Sequence, residues 1–521
     1  MPALDAVDAV GALADPDAEA EGLAPGRLDE FLRIVEELEA LPTEHPDSIA
    51  ARHAVAGMYK SVKVRRRNER RAKVLAHDAE VTARTATGAP GRIDDETAGI
   101  PLESSARGAI AGVLIQPRGC YVCKQRYTQV DAFYHQLCPD CAAFSHAKRD
   151  ARTDLTGRRA LLTGGRAKIG MYIALRLLRD GAHTTITTRF PNDAARRFAA
   201  LEDSGDWLHR LRIVGIDLRD PAQVVALADD LASHGPLDII VNTAAQTVRR
   251  SAAAYAPLVA AEREPLPAGP LPEIVTFGRA AADMQLGPGL ATESGGDGEP
   301  GVAGATGDDA DGETPTHWAP TPHALASLAM TARSASFDRI AVGTAIDAGG
   351  LVPDLADSNS WVQKVEEVDP IELLEVQLCN QTAPFILLSR LRPSLAAAAA
   401  ASPTGRAYVV NVSAMEGQFG RGYKGPGHPH TNMAKAALNM LTRTSAQELF
   451  ETDRVLMTAV DTGWITDERP HPDRQRLADV GFHAPLDLVD GAARVYDPIV
   501  RGEAGDDVHG VFLKDYRAAD W

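Results

Sequence analysis

The apolar and β-branched residues of this chain recur in short continuous runs, and stretches with apolar residues at helical spacing lie between the runs. Such runs are typical of strands buried on both faces of a sheet, and a three- to four-residue spacing is typical of amphipathic helices. Seven strands are predicted, at residues 160–163, 184–188, 211–216, 237–241, 407–412, 455–460 and 510–516. Because helical patterns alternate with these runs, we expect an α/β fold with a parallel sheet.

The segment that follows the first predicted strand is rich in glycine and opens a helix predicted at residues 172–178. The turn consists of Thr163, Gly164, Gly165, Arg166, Ala167, Lys168, Ile169 and Gly170. In a strand–turn–helix unit, glycines let the backbone turn tightly and approach a pyrophosphate, and the helix N-terminus supplies free N–H groups and a partial positive charge. The sequence therefore predicts a dinucleotide-binding site at this turn.

The region before the first strand has a different composition. Residues 1–26 are mainly Ala, Asp, Glu, Gly and Pro, and we expect them to be disordered. Helices are predicted at residues 27–41 and 48–85, within a helical region and linker that extends to residue 115. The second helix carries eight Lys and Arg residues between positions 60 and 73. We interpret this run as a solvated helix face, and a phosphate- or partner-binding surface is the alternative.

Four of the five cysteines form two CxxC pairs in a segment that we place at residues 116–150. The predicted ligands are Cys120, Cys123, Cys138 and Cys141. Four thiolates suit tetrahedral Zn²⁺ and leave no position for water, so the spacing predicts a structural zinc module. His135 and His146 are alternative ligands. Between the pairs, the residues expected to form a small core are Tyr121, Tyr127, Phe133 and Tyr134.

Length, charge and hydropathy narrow the classes of function. A chain of 521 residues is expected to contain several domains. The formal net charge of −17 disfavours nucleic acid and anionic membrane surfaces as partners. No apolar run approaches the roughly 20 residues that span a bilayer, and the acidic N-terminus lacks the pattern of a secretion signal. CxxC pairs are typical of a reducing compartment, so we expect a cytoplasmic protein.

Across residues 154–242 and 360–521, the chain resembles the short-chain dehydrogenase/reductase family. The glycine turn is similar to the family motif TGxxxGxG, with Lys168 at the middle glycine. Residues 242–245 resemble its NNAG motif, and residues 461–466 resemble its PG-x-x-T element. The resemblance implies a doubly wound (Rossmann) sheet, placed at residues 151–521. It implies cofactor contacts from Thr163, Gly164, Arg166, Lys168, Ile169, Gly170, Arg189, Asp217, Leu218, Asn242, Ala244, Lys435, Gly463, Ile465 and Thr466.

The end of the second predicted strand indicates which dinucleotide is bound. Family members that prefer NAD have an acidic residue at the position of Thr188, where it binds the ribose 2′-hydroxyl. In this chain, that position is a threonine and not an acidic residue. Arg189 is the next residue, and Arg166 lies in the glycine turn. Cations without an acid suit a 2′-phosphate, so NADP(H) is predicted over NAD.

The catalytic half of the family pattern is altered. Lys435 matches the lysine of YxxxK, which binds the nicotinamide ribose, and Asn380 matches the asparagine that holds a proton-relay water. The family serine corresponds to Ala414, with Ser413 one residue earlier, and the family tyrosine corresponds to Thr431. A threonine hydroxyl is too weak an acid to replace a phenol. The candidates for proton transfer lie in a loop placed at residues 420–430, and they are Tyr423, Lys424, His428 and His430. Tyr423 is the best chemical match, and His430 is the closest in sequence.

These observations support two functions. The first is an NADP(H)-dependent oxidoreductase that acts on a small-molecule carbonyl or alcohol, with Ser413 hydrogen-bonding the substrate oxygen. The second is a non-catalytic NAD(P)-binding sensor or scaffold with a zinc-dependent interaction module. We place an insertion at residues 251–358 and expect its residues at about 286–316 to be disordered. The insertion is either a lid or a surface that binds a protein partner, or it is a surface loop without a function. We predict strands at residues 274–277 and 339–342 and a helix at 321–331 within it. A homo-oligomer is left open.

Overall fold

The computed structural model describes residues 23–90, 92, 102–250, 252–277, 357–422, 424–466 and 468–521. The chain divides into two compact units, Met1–Ala76 and His77–Trp521. Several predictions lie outside the described residues: the disorder of residues 1–22 and 286–316, the helix at 321–331 and the strand at 339–342. No helix among the described residues is both long and apolar enough to cross a membrane.

The first unit contains α1 (Arg27–Glu39) and most of α2 (Pro46–Ala83), which continues into the second unit. Both helices begin and end within two residues of the predicted positions. Leu28, Phe31 and Leu32 of α1 are exposed, whereas Val35 and Leu38 are half-buried.

The second unit alternates strands and helices, as the hydrophobic pattern predicts. Its strands are β1 (Ile110–Gly119), β2 (Arg126–Asp131), β3 (Arg159–Thr163), β4 (His183–Thr188), β5 (Leu211–Gly215), β6 (Ile239–Asn242), β7 (Glu273–Thr276), β8 (Ala407–Ser413), β9 (Val455–Asp461), β10 (Phe512–Lys514) and β11 (Arg517–Ala519). Its helices are α3 (Pro139–Arg149), α4 (Lys168–Arg179), α5 (Pro191–Ala199), α6 (Ser204–Trp207), α7 (Pro221–Ser233), α8 (Ala252–Glu262), α9 (Pro370–Gln377), α10 (Ala383–Ala401), α11 (Pro429–Asp453), α12 (His471–Asp479) and α13 (Leu488–Glu503).

Nine strands form one sheet in the order β7-β5-β4-β3-β6-β8-β9-β10-β11. All neighbours pair in parallel except β10 and β11, which form a terminal hairpin. The strand order reverses between β3 and β6, and ligands of such sheets bind at the carboxyl ends of the strands at this switch point. The fold is therefore the predicted doubly wound sheet, extended at one edge by β7 from the insertion.

The helix predicted at residues 172–178 is α4, which begins earlier, at Lys168. α9 and α11 both begin at a proline. Pro370 is the first residue of α9, and Asp369 caps this helix by accepting a hydrogen bond from the Ile371 N–H. Pro429 is the first residue of α11. His430 therefore belongs to the first turn of α11 and not to a loop.

The core consists of two apolar layers, one on each face of the sheet. Leu175 of α4, Phe198 of α5 and Val495 of α13 belong to one layer. Leu391 of α10 and Leu449 of α11 belong to the other, together with residues of α7. Both faces of the sheet are thus covered, which explains why its strands read as nearly continuous apolar runs.

A third apolar cluster joins the cysteine-containing segment to the sheet domain. Cys120, Tyr134 and Leu137 pack there with Ile465 and Leu486, which follow β9. At its edge, Arg149 of α3 forms an ion pair with Asp487, with an N–O distance of 2.6 Å, and Tyr134 donates a hydrogen bond to Asp490. The predicted aromatic core of the cysteine module is therefore continuous with the core of the sheet domain.

Candidate dinucleotide site and metal centre

The glycine turn is closely packed between β3 and the start of α4. Gly164 has a φ of +76°, and a Cβ built on it would lie 2.9 Å from the Cα of Ala244. A Cβ on Gly170 would lie 2.2 Å from the carbonyl oxygen of Gly164. These two glycines let α4 start against the turn, so that its N-terminal N–H groups face the carboxyl ends of β3 and β6.

We expect Gly170→Ala to destabilise the turn, since the added methyl group would overlap a backbone carbonyl that cannot move independently. The free energy of unfolding should fall by about 1–3 kcal/mol, measured by urea denaturation. Gly205→Ala is the matched control, because a Cβ at Gly205 would meet nothing within 4 Å. Equal stability of the two variants would contradict the packing described for this turn.

Lys168 occupies the position of the middle glycine in the family motif that this turn resembles. Its backbone is in the left-handed conformation, with a φ of +54°. A left-handed conformation costs a non-glycine residue about 1–2 kcal/mol. Its ammonium lies near the carboxylate of Glu468. Burial opposes ionisation of Glu468, but Lys168, Arg250 and Arg474 together hold the pKa of Glu468 below its usual range. Charges of both signs thus meet at the start of α4.

A row of polar side chains crosses the sheet at the switch point. The Thr163 hydroxyl accepts hydrogen bonds from the N–H groups of Thr243 and Ala244 at 3.0 and 3.1 Å. Asn242 donates to Asn411 at 2.8 Å, and Asn411 donates to a threonine of α11 at 2.9 Å. Thr163 and Asn242 therefore hold the loop after β6 in place beside the glycine turn.

The adenosine end of the predicted site contains Arg189, which is half-buried and directly follows β4. Its guanidinium donates a hydrogen bond to the hydroxyl of Tyr255 at 3.2 Å, and the Tyr255 ring is stacked on that of Phe190. Burial would lower the pKa of Arg189, but Tyr255 and Asp217 keep it raised. Arg166, the second predicted cation, forms an ion pair with Asp193 at 2.5 Å.

Asp217, which the resemblance places beside adenine with Leu218, is engaged within the protein. Both of its carboxylate oxygens accept hydrogen bonds from Arg219, which also donates to Glu375 at 3.1 Å. Sequence reasoning missed Arg219, although it follows the recognised Asp-Leu pair by one residue. It also missed Tyr255, whose position in the insertion carries no motif.

Lys435 of α11 is buried, and its ammonium lies at the carboxyl end of β8. Its ammonium donates a hydrogen bond to the Val412 carbonyl at 2.8 Å, and burial lowers its pKa to about 8. Asn380 lies in a π-helical turn, Leu378–Thr382, between α9 and α10. Its side chain binds the backbone of Gln246 through two hydrogen bonds, of 2.7 and 3.0 Å. Such turns often occur at functional sites.

Of the two main candidates for proton transfer, the structure describes only His430. Tyr423 lies outside the described residues. His430 is buried, and both of its ring nitrogens lack a hydrogen-bond partner among the described residues. Burial, reinforced by His428, lowers the pKa of His430. Because residues four apart share a helix face, Thr431 lies on the same face as Lys435, and His430 is offset from it.

Several buried polar atoms at this edge of the sheet have no hydrogen-bond partner among the described residues. They include Ser413 Oγ, Thr431 Oγ1, Asn242 Oδ1 and Thr243 Oγ1. Buried polar groups in native proteins are nearly always hydrogen-bonded. Asn242 and Ser413 end β6 and β8, Thr243 follows β6, and Thr431 lies in the first turn of α11. These atoms therefore fit a polar ligand along the carboxyl ends of the strands.

The loop after β9 completes this edge. Gly463 has a φ of +78° and donates a hydrogen bond to the Asp461 carboxylate at 2.9 Å. The Trp464 N–H donates to the hydroxyl of Tyr121 at 2.9 Å. Ile465 is buried, and the Thr466 hydroxyl lies 3.5 Å from a carboxylate oxygen of Glu468. Tyr121 is a further residue whose role at this loop the sequence did not indicate.

The four predicted metal ligands converge. The sulfur atoms of Cys120, Cys123, Cys138 and Cys141 all lie within 4.8 Å of one another. Cys138 caps α3, with Pro139 as the first helical residue. A helix N-terminus favours thiolates. The alternative ligands are engaged elsewhere: His146 lies 3.2 Å from Asp131, and His135 contacts Thr87 at 2.8 Å.

The spacing of these sulfur atoms fits zinc. Tetrahedral Zn²⁺ with bonds of about 2.3 Å requires sulfur atoms about 3.8 Å apart. The Cys123 and Cys138 sulfur atoms are 3.6 Å apart, well beyond a disulfide bond of about 2.05 Å. Four thiolates would fill the coordination sphere, so such an ion could stabilise the fold but could not bind a substrate.

A family model and several known proteins match parts of this chain. The family model described as short chain dehydrogenase matches residues 158–258. An uncharacterized protein of Acanthamoeba polyphaga mimivirus is 27% identical over 394 residues, which cover 73% of this chain and 71% of that protein. A probable oxidoreductase of Streptomyces antibioticus is 41% identical over 91 residues, or 18% of this chain. This match spans only 30% of the length of that oxidoreductase.

Among solved structures, the chain is similar to an NADPH-bound carbonyl reductase from chicken fatty liver, with 15% identity and a TM-score of 0.39 over 72% of this chain and 98% of that one. It is also similar to a metagenomic short-chain oxidoreductase in complex with NADP, with 15% identity and a TM-score of 0.37 over 69% and 96% of the two chains. The part of the chain that matches the short chain dehydrogenase model, residues 158–258, contains the glycine turn and the strands β3, β4, β5 and β6.

Proposed function

We propose that this protein is an NADP(H)-dependent oxidoreductase that interconverts a carbonyl and an alcohol. The observation that carries the proposal is the enclosed Lys435, held at the end of β8 beside buried polar atoms that have no partner among the described residues. A purely structural core would not be expected to retain a lysine and several unpaired hydroxyl groups at the switch point of the sheet. A bound nicotinamide supplies or accepts the hydride.

The residues of the chain have distinct roles in this proposal. Gly164, Ile169 and Gly170 would hold the pyrophosphate at the start of α4, and Lys435 would bind the nicotinamide ribose. Ser413 would hydrogen-bond the substrate oxygen, and Asn380 would fix the loop after β6. The proton would come from His430 or Tyr423. Turnover by the variants His430→Gln and Tyr423→Phe would decide between these two residues.

Arg189 is expected to select NADPH over NADH, because a guanidinium forms charge-assisted hydrogen bonds with a 2′-phosphate. We expect NADPH to bind the zinc-replete protein more tightly than NADH in a fluorescence titration. Arg189→Ala should weaken NADPH binding by about 10-fold or more and leave NADH binding nearly unchanged. Arg443→Ala, at an exposed position of α11, is the control. Equal affinities for both dinucleotides in the wild type would refute the assignment.

The cysteine cluster is proposed to hold one structural Zn²⁺ through Cys120, Cys123, Cys138 and Cys141. The support is the convergence of four thiols at a helix N-terminus and the sulfur spacing given above. A site of free thiols is consistent with a reducing compartment, so we propose a cytoplasmic location.

A second candidate function is a non-catalytic dinucleotide-binding sensor or scaffold. The observation that favours it is the pair Ala414 and Thr431 at the positions of the family serine and tyrosine. Binding of NADPH without its oxidation across a broad panel of aldehydes and ketones would support this function. Turnover of any carbonyl substrate would instead support the oxidoreductase.

A further inference from the structure

The cysteine module lies directly against the loop that the resemblance assigns to the nicotinamide. The contact is a hydrogen bond of 2.9 Å from the Trp464 N–H to the hydroxyl of Tyr121. Tyr121 is one of only two residues between Cys120 and Cys123. Any ion that binds these two thiolates therefore fixes both ends of the segment that carries the tyrosine.

Apolar contacts strengthen the same junction. Ile465, next to Trp464, packs in one cluster with Cys120 and Cys138. A Cβ on Gly491 of α13 would lie 2.9 Å from Ile465 and 3.1 Å from Ile169 of the glycine turn. The residues on the nicotinamide and pyrophosphate sides therefore meet over one small area of α13. The cysteine module covers this area.

Other contacts hold the module on the sheet domain, so the junction is not a loose one. Arg149 binds Asp487 through two hydrogen bonds, of 2.6 and 3.1 Å, and the Tyr134 hydroxyl donates to Asp490 at 2.6 Å. These contacts fix the module as a body. Tyr121 is the residue that transmits its position to the backbone of Trp464.

We infer that Tyr121 is a positioning residue for the nicotinamide-side loop and that metal binding and dinucleotide binding strengthen each other through it. This inference rests on the proposed function. Its physical basis is the conformational entropy of the loop. A loop that is already ordered loses less entropy when it binds the nicotinamide half of the cofactor. Linkage requires the effect to be reciprocal: if the metal raises the affinity for NADPH, NADPH raises the affinity for the metal by the same factor.

The test is the variant Tyr121→Phe, which keeps the ring but removes the oxygen that accepts from Trp464. We expect NADPH to bind about 5- to 10-fold more weakly, since a backbone N–H loses its partner. Binding of 2′-phospho-ADP-ribose, which lacks the nicotinamide, should stay within about 2-fold, and the zinc content should remain one per chain. General destabilisation of the site would weaken both ligands equally and would overturn the inference.

Tyr127→Phe is the matched control, because the Tyr127 hydroxyl donates to the carbonyl of His135 within the same module. It should leave both affinities unchanged. NADPH should also slow the transfer of zinc from the wild-type protein to a chelator. In Tyr121→Phe, NADPH should slow this transfer much less. Zinc transfer that does not respond to NADPH in the wild type would contradict the linkage.

A readout that needs no dinucleotide separates this inference from the proposed function. Hydrogen–deuterium exchange at the Trp464 amide should be at least about 5-fold faster in Tyr121→Phe than in the wild type or Tyr127→Phe. If the wild type binds neither NADPH nor NADH, the proposed function fails, but the exchange measurement still tests the positioning role. Unchanged exchange at Trp464 would overturn that role.

Discussion

Replacing Lys435 with alanine should lower kcat/KM for a carbonyl substrate by about 10²-fold or more, because loss of the proposed ribose contact would misplace the nicotinamide relative to the substrate. The variant removes the only charge that the structure places against the Val412 carbonyl at the end of β8 among the described residues. It should also weaken NADPH binding, because the proposed ribose contact is lost. Turnover of the best substrate from a carbonyl panel, followed at 340 nm, is the measurement.

The pH dependence provides a second readout of the same residue. Burial lowers the pKa of Lys435 to about 8, so the ammonium predominates at pH 7 and is lost as the pH rises through 8. Activity that requires the ammonium should therefore decline above pH 8. Lys435→Arg, which stays charged, should lack this decline. Lys364→Ala, at an exposed lysine, should retain both the rate and the pH profile of the wild type. A fully active Lys435→Ala variant would exclude the proposed role.

Removing the metal should cause the largest loss of stability. Structural zinc contributes an apparent binding free energy of about 10–16 kcal/mol in isolated zinc modules near neutral pH, and that energy is coupled to folding. Because Cys120 and Cys138 belong to a cluster shared with Ile465 and Leu486, the loss would extend beyond the module. We expect Cys138→Ser to lose zinc and to lower the Tm by on the order of 10 °C, measured by elemental analysis and calorimetry.

The fifth cysteine supplies a matched control for this experiment. Cys379 lies beside Asn380 and does not belong to the converging group of four thiols. Cys379→Ser should retain one zinc per chain and a Tm within about 3 °C of the wild-type value. If Cys138→Ser retained zinc and the wild-type Tm, the four-thiolate site would be excluded.

The eight parallel strands of the sheet were predictable because each carries its own local signal, whereas β11 was not predicted. Buried parallel strands require apolar side chains on both faces, so residues 407–412 could be recognised without any knowledge of their neighbours. The two CxxC pairs were equally informative, since the spacing of the thiols restricts both the metal and its geometry. Residues that act through the backbone conformation, such as Gly164 and Gly170, were indicated by their order after a strand.

The predictions that failed or could not be made involve contacts between distant segments. The sequence did not show that α11 begins at Pro429, because residues 420–430 were predicted to form a loop. The partner of Arg189 is Tyr255, 66 residues away in an insertion without a motif. Likewise, Asp217 matched its family position, but Arg219 occupies both of its oxygens. Such pairings depend on which surfaces the fold brings together.

The sequence by itself determined the doubly wound sheet, the glycine turn, the candidate zinc ligands and the position of Lys435, because each of these depends on residue type and short-range spacing. Only the tertiary structure decided that Lys435 is enclosed, that Arg189 faces Tyr255 and that Tyr121 contacts Trp464. These features depend on burial and on contacts between distant segments. Tyr121 and Trp464, for example, are 343 residues apart in the chain. The physical reason is that the burial of a group and its hydrogen-bond partners depend on which segments the fold brings together.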